Sequence, residues 1–204
     1  MLTKTFMDRV FMGTPYYLTS NFGERINPVT KVKSTHWGRD YGTHAIKCML
    51  FSPVWGVVTR SEYNSIRGHF VEIKTPIGFV LMQHMSYRTV TVGQLVTNGN
   101  SVGACGTTGS STGVHLHIEF YNASHQHVHP DNFIGGYADP VFQTYLVNTT
   151  VNLNVRNLPS LAGSVVSKLA PKSKVVRYAE TNGWVKVRYT LPWWVSKKWL
   201  KLIG

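Results

Sequence analysis

Gly106-Thr-Thr-Gly-Ser-Ser-Thr-Gly-Val-His115-Leu-His117-Ile-Glu119-Phe120 is the stretch on which the reading of this chain turns. Its first half belongs to a tract, residues 99–113, that holds five glycines among many Ser and Thr, which makes it a loop with tight turns. Its second half alternates. On a β-strand, residues i and i+2 point to the same face. His115 and His117 therefore project together, and Glu119 shares their face, where it can orient a ring by hydrogen bonding. Leu116, Ile118 and Phe120 project from the other face and suit a core. Two imidazoles on one strand face are a common way to present metal ligands, but alone they are a weak signal.

Outward from this strand the chain reads mostly as β-structure. Runs rich in Val, Ile, Phe and Tyr alternate with Gly, Pro, Asn and Ser. Further strands are expected at residues 54–60, 70–75 and 79–84, with Pro76-Ile77-Gly78 closing a hairpin between the last two. No long segment shows an apolar period of 3.6 residues.

His36-Trp-Gly-Arg-Asp40 adds an imidazole and a carboxylate four residues apart, and His84 ends a strand. His36, Asp40 and one nitrogen of the His115/His117 pair would make three zinc ligands and leave a fourth position open, as in catalytic zinc sites. Zinc lowers the pKa of bound water to about 7 and polarises a carbonyl, and amide hydrolysis needs both. His84 and the other histidine of the pair then remain for proton transfer and oxyanion stabilisation, tasks that suit a side chain titrating near neutrality. Each histidine taken singly is also compatible with an ordinary surface or core role; the joint spacing argues against that.

These segments resemble the lysostaphin-type peptidoglycan endopeptidases, the M23 metallopeptidases. The family order of H-x-x-x-D, a histidine at a strand end, then H-x-H reads here as His36-Trp-Gly-Arg-Asp40, Met82-Gln-His84-Met85 and His115-Leu-His117. Leu18-Thr-Ser-Asn-Phe-Gly-Glu-Arg25, Ser52-Pro-Val-Trp-Gly-Val57, Val92-Gly-Gln-Leu-Val96 and His129-Pro130 match its flanking motifs, so the resemblance spans residues 18–133. It implies one zinc ion per chain on His36, Asp40 and His117, with His84 and His115 as the catalytic histidines. Met82-Gln83 and Met85 depart from the family pattern at positions that bear on specificity more than on the metal. His44, His125, His127 and His129 are read as loop histidines, and His69 as having no role.

A domain boundary is expected near residue 145, giving a peptidase domain at 1–145 and a second domain at 146–204. The latter resembles a bacterial SH3 (SH3b) domain through Leu153-Asn-Val-Arg156, Pro159, Gly183-Trp-Val-Lys-Val187 and Trp194-Val-Ser-Lys-Lys-Trp-Leu200. Leu191-Pro192-Trp193 departs from that pattern. The expected fold is thus mainly β: an antiparallel peptidase domain followed by a small SH3-like barrel. Val185 and Val187 would share a face. Four tryptophans are many for so small a core, so Trp184, Trp193 and Trp194 are candidates for binding wall peptide or glycan; packing the barrel is the competing role.

Composition fits this reading. Hydrophobic residues make up 43% of the 204, enough for packed cores, and the formal net charge is +12. A basic protein concentrates near polyanions. Nucleic acid, anionic membranes and acidic wall polymers all qualify on charge alone; the resemblance favours the wall, with no nucleic acid as partner. No segment approaches the ~18 apolar residues of a membrane span. Cys48 and Cys105 form no C-x-x-C motif and are expected as free, half-buried thiols. Asp8 and Arg9 interrupt any signal-peptide stretch at the N-terminus. The lack of a signal-peptide stretch, with the pairing of the two resembled domains, resembles a phage lysin made in the host cytoplasm and acting on Gram-positive peptidoglycan, released through a holin or carried in a virion. The rival is a catalytically inactive wall-binding or structural protein. A glycosidase is disfavoured, because no catalytic carboxylate pair is recognisable among nine acidic residues.

Overall fold

The computed structural model describes residues 2–27, 30–138, 144–177, 179–188 and 193–203. The chain divides into two compact units, Met1–Asp139 and Pro140–Gly204.

The first unit runs α1 (Leu2–Phe11), β1 (Tyr17–Ser20), β2 (Gly23–Ile26), β3 (Lys33–His36), β4 (Gly38–Gly42), β5 (Met49–Phe51), β6 (Gly56–Asn64) and β7 (Gly68–Thr75). It continues with β8 (Gly78–Met85), β9 (Tyr87–Arg88), β10 (Leu95–Val96), β11 (Ser101–Ala104), β12 (His115–Asn122) and α2 (Pro130–Gly136). A seven-stranded sheet in the order β1-β4-β12-β8-β7-β6-β10 is antiparallel throughout. The expected hairpin joins β7 to β8, with Thr75 opposite Gly78 across Pro76-Ile77.

β12 lies between β4 and β8, and its register sets His117 opposite Asp40 on one side and Gln83 on the other. The period of two then sorts the side chains. Leu116, Ile118 and Phe120 are fully buried in the main core with Met7, Val10 and Phe11 of α1 and Phe133 of α2. His115, His117 and Glu119 take the opposite face.

Helix α1 was not expected. Phe6, Met7, Val10 and Phe11 do have helical spacing, but over only ten residues, too few for the period to stand out. A helix this short is marginal alone and is held by packing its apolar face. Cys48 and Cys105 are free and buried, more deeply than expected, with the Cys105 amide donating to the Cys48 carbonyl at 2.8 Å. No helix among the described residues is long and apolar enough to cross a membrane.

The second unit comprises β13 (Thr144–Val147), β14 (Leu153–Arg156), β15 (Val165–Leu169), β16 (Lys174–Val176), β17 (Ala179–Thr181), β18 (Trp184–Arg188), β19 (Trp193–Ser196) and β20 (Leu200–Leu202). They form sheets in the orders β16-β13-β20 and β15-β14-β19-β18-β17. Their shared core is small: Tyr145, Val147, Leu153, Val155, Val175, Val185 and Val195, with Val187 packed against it. The boundary expected at 145/146 falls inside β13, whose partners β16 and β20 both lie in this unit. Leu191 and Pro192 lie outside the described residues, as does the side chain of Trp193.

Candidate metal centre

Three strands deliver three donor atoms to one point. His36 ends β3, Asp40 sits in β4 and His117 in β12. His117 Nδ1 is 2.7 Å from Asp40 Oδ1 and 3.0 Å from His36 Nε2, and His36 Nε2 is 3.2 Å from Asp40 Oδ1. Ligands about 2.1 Å from a tetrahedral zinc lie about 3.4 Å apart, so this triangle is slightly contracted but of the right size. His36 and Asp40 are buried and His117 is half-buried.

Each imidazole is oriented through its other nitrogen. His36 Nδ1 donates to the Asn21 carbonyl at 2.7 Å, which leaves Nε2 for the triangle. His117 Nε2 donates to Glu119 Oε1 at 3.0 Å, which leaves Nδ1. Gly38 makes the approach possible: a Cβ there would come within 2.7 Å of His117 Nε2 and 2.5 Å of the Ile118 carbonyl.

The electrostatics favour a cation. Burial alone would raise the Asp40 carboxyl, yet hydrogen bonds from His117 and His36 hold it well below the usual carboxylate range. Burial alone would lower His117, yet the Asp40 and Glu119 carboxylates raise it to about 9. Two carboxylates against one buried ring select positive charge between them. The residues therefore fit a divalent metal with nitrogen and oxygen ligands, zinc foremost.

His84 and His115 flank the triangle. Their ring centroids are 4.9 Å apart, and His84 is 5.9 Å from the His117 ring. His84 Nδ1 donates to the Thr108 carbonyl and His115 Nδ1 to the Gly113 carbonyl, both at 2.9 Å. Both acceptors belong to the glycine-rich loop, which is why it must precede this strand so closely. His115 Nε2 lies 3.8 Å from Asp40 Oδ1. His84 takes a φ of +62°, a left-handed conformation that costs a non-glycine residue about 1 kcal/mol or more. Burial pushes its pKa down to about 4, against the pull of the Thr108 carbonyl. All five residues line one cleft of about 390 Å³, with Arg25, Trp37 and Ser110 to Thr112 on its walls.

Sequence reading missed how Glu119 is held. Only 7% exposed, it accepts from Gln83 Nε2 at 2.7 Å and His117 Nε2 at 3.0 Å on Oε1. On Oε2 it accepts from the Tyr121 hydroxyl and from His127 Nε2, the latter at 3.1 Å. His127 is thus more than a loop histidine. The signal was present: a carboxylate buried on the ligand face needs several donors. His125 stays on the periphery, 3.4 Å from Glu72, and His129 caps α2 by accepting from the Asp131 amide. His44 is exposed and His69 lies outside the cleft.

In the second unit, Trp184 and Trp199 line a groove of about 330 Å³ with Arg156, Leu161 and Ser196. Trp194 does not line it, and the side chain of Trp193 lies outside the described residues. Trp199, 44% exposed, was not among the expected binding tryptophans.

Known proteins resemble the first unit. The profile of peptidase family M23 matches residues 34–130. Peptidoglycan DD-endopeptidase ShyC of Vibrio cholerae is 34% identical over 123 residues, covering 56% of this chain and 27% of that protein. The chain thus spans about a quarter of the length of this relative. A crystal structure of the catalytic domain of EnpA, a prophage-encoded M23 protein from Enterococcus faecalis, is 31% identical with a TM-score of 0.52, covering 58% of this chain and 92% of that one. A zinc-containing peptidase from Vibrio cholerae is 27% identical with a TM-score of 0.54, covering 65% and 40%. Residues 34–130, which carry all three donors of the triangle and both flanking histidines, are a domain of peptidase family M23.

Proposed function

We propose that this chain is a zinc-dependent endopeptidase that hydrolyses amide bonds in the stem peptide or cross-bridge of bacterial peptidoglycan. The observation that carries the reading is the convergence of His36 Nε2, Asp40 Oδ1 and His117 Nδ1 beside His84 and His115 in one cleft. Zinc at that triangle would supply a water of lowered pKa and a polarised carbonyl. The chain's own residues do the rest. With Nδ1 of His84 and His115 donating to backbone carbonyls, Nε2 of each neutral ring carries a lone pair. That nitrogen can take a proton from an attacking water and, once protonated, can donate to the oxyanion or the leaving amine. The cleft walls would position the peptide.

Named relatives support the substrate class: one is a peptidoglycan DD-endopeptidase, and the EnpA domain is prophage-encoded, which favours a phage lysin. In this reading the second unit is the SH3-like wall-binding domain, with the Trp184–Trp199 groove and its basic surface as the means of attachment. The target is Gram-positive peptidoglycan and its acidic polymers, reached by holin-type release or from a virion. An inactive wall-binding protein would be expected to have lost part of the site, and none of its five residues is lost.

Digestion of purified walls, scored for new amines and new reducing ends, tests the reading. New amines that vanish with a chelator and return with zinc are expected. Wall binding without release of amines would transfer the assignment to the inactive protein.

A further inference from the structure

We propose that His127 is a positioning residue for the metal centre: it pins Glu119, which pins the His117 ring, and its stack on Trp37 ties that hold to the rim of the cleft. The proposal rests on the metal-site reading above.

The chain after β12 turns back along it. The amide of Asn122 donates to the Gln126 carbonyl and that of Val128 to the Phe120 carbonyl, which sets His127 opposite Tyr121. From there its ring lies 4.6 Å from the Trp37 indole at 23°, and 4.4 Å from the Tyr121 ring at 35°. Contact with both rings limits how far the His127 ring can tip, which favours keeping Nε2 on Glu119 Oε2 at 3.1 Å. The terminal torsion of a glutamate is soft. Fixing it takes donors on both oxygens, and His127 supplies one of the two on Oε2. Glu119 in turn decides which nitrogen of His117 faces Asp40. Trp37, 47% exposed, carries the other end of the stack into the substrate cleft.

Losing a direct partner of a ligating histidine costs about 10- to 100-fold in metal affinity. His127 acts one step further out, so about three- to tenfold is expected.

Two substitutions in the full-length protein separate donor from ring. His127→Phe keeps a flat ring for Trp37 and Tyr121 but has no N–H. His127→Gln keeps an N–H donor. The readouts are zinc affinity by competition with a chromogenic chelator, the visible spectrum of the cobalt-substituted protein, and kcat and KM on wall peptide. For His127→Phe we expect about three- to tenfold weaker zinc binding, shifted cobalt bands and a lower kcat at unchanged KM. His127→Gln should restore most of each. Wild-type zinc affinity and cobalt spectrum in His127→Phe would overturn the proposal, as would equal impairment of both variants, which would mean a packing role only. Should His127→Phe fail to fold, a zinc affinity in folded His127→Gln as poor as the loss expected of Phe decides against it. Wild-type protein that binds no zinc would instead sink the metal-site reading, and this proposal with it.

Discussion

The two units divide charge and chemistry unequally. Residues 1–139 carry eleven Lys and Arg against eight Asp and Glu, a formal charge of +3; residues 140–204 carry ten against one, a charge of +9. In the first unit, buried carboxylates are committed to histidines: Asp40 to His36 and His117, Glu119 to His117 and His127. In the second, the one carboxylate, Glu180, already pairs with Arg177 and Lys197, and most of the cations have no acidic neighbour in sequence. The basicity of the chain is therefore a property of its smaller part. A field of one sign on a small surface attracts polyanions over about a Debye length. Attachment and cleavage should come apart experimentally along the same line.

The largest effect tests the first unit alone. Asp40→Ala or His117→Ala should abolish both tight zinc binding and wall cleavage while leaving wall attachment intact. Metal analysis of the purified variants checks this, and bound zinc at the wild-type level in either would break the ligand assignment. His115→Ala should retain zinc and lose about 10²- to 10⁴-fold in turnover. Full activity in that variant would remove its catalytic role.

The next effect tests the second unit. A chain ending before β13 keeps the whole of the main core and both helices. It should cleave soluble wall peptide at the full rate and bind whole walls about tenfold or more weakly, through loss of local concentration. Its wall binding should also depend less steeply on salt, because two thirds or more of the net charge is gone. Sedimentation with walls across a salt series measures both. Unchanged binding by the shortened chain would erase the contrast between the units.

What the sequence made legible follows from geometry that local spacing encodes. The period of two placed His115 and His117 on one face and Leu116, Ile118 and Phe120 on the other, because a strand leaves no alternative once the core side is chosen. Hairpin β7–β8 announced itself through Pro76-Ile77-Gly78. The stack of His127 on Trp37 was illegible for the opposite reason. The two residues are ninety apart in sequence, and only the return of the chain along β12 brings the two rings together. Gly38 belongs with it: the need for glycine there arises from the His117 ring across β4 and β12, a contact no local pattern records. In the second unit the tryptophans could be counted but not assigned, since exposure depends on which of them the small valine core already covers.

The smallest effect asks whether the units also melt apart. Arg39, buried in β4 beside Asp40, donates from both terminal nitrogens to Asp131 at 2.8 Å and from Nε to Asn21 at 2.8 Å. This ties α2 and the Asn21 carbonyl that orients His36 into one network. The Arg39 hydrogen bonds hold the Asp131 carboxyl below its usual range, so the pair contributes stability above the unfolded value of about 3.9 and loses it as pH falls through the folded value. Asp131 is half exposed, which limits the gain to about 1 kcal/mol. Asp131→Asn should accordingly lower the melting temperature of the first unit by a few degrees at pH 7 and leave the second unchanged. Its deficit should shrink as the solution is acidified below the carboxylate range. Calorimetry at the two pH values reads this directly: a deficit that persists in acid would mean that Asp131 works through packing, and a shift in both transitions would mean that the two units unfold as one.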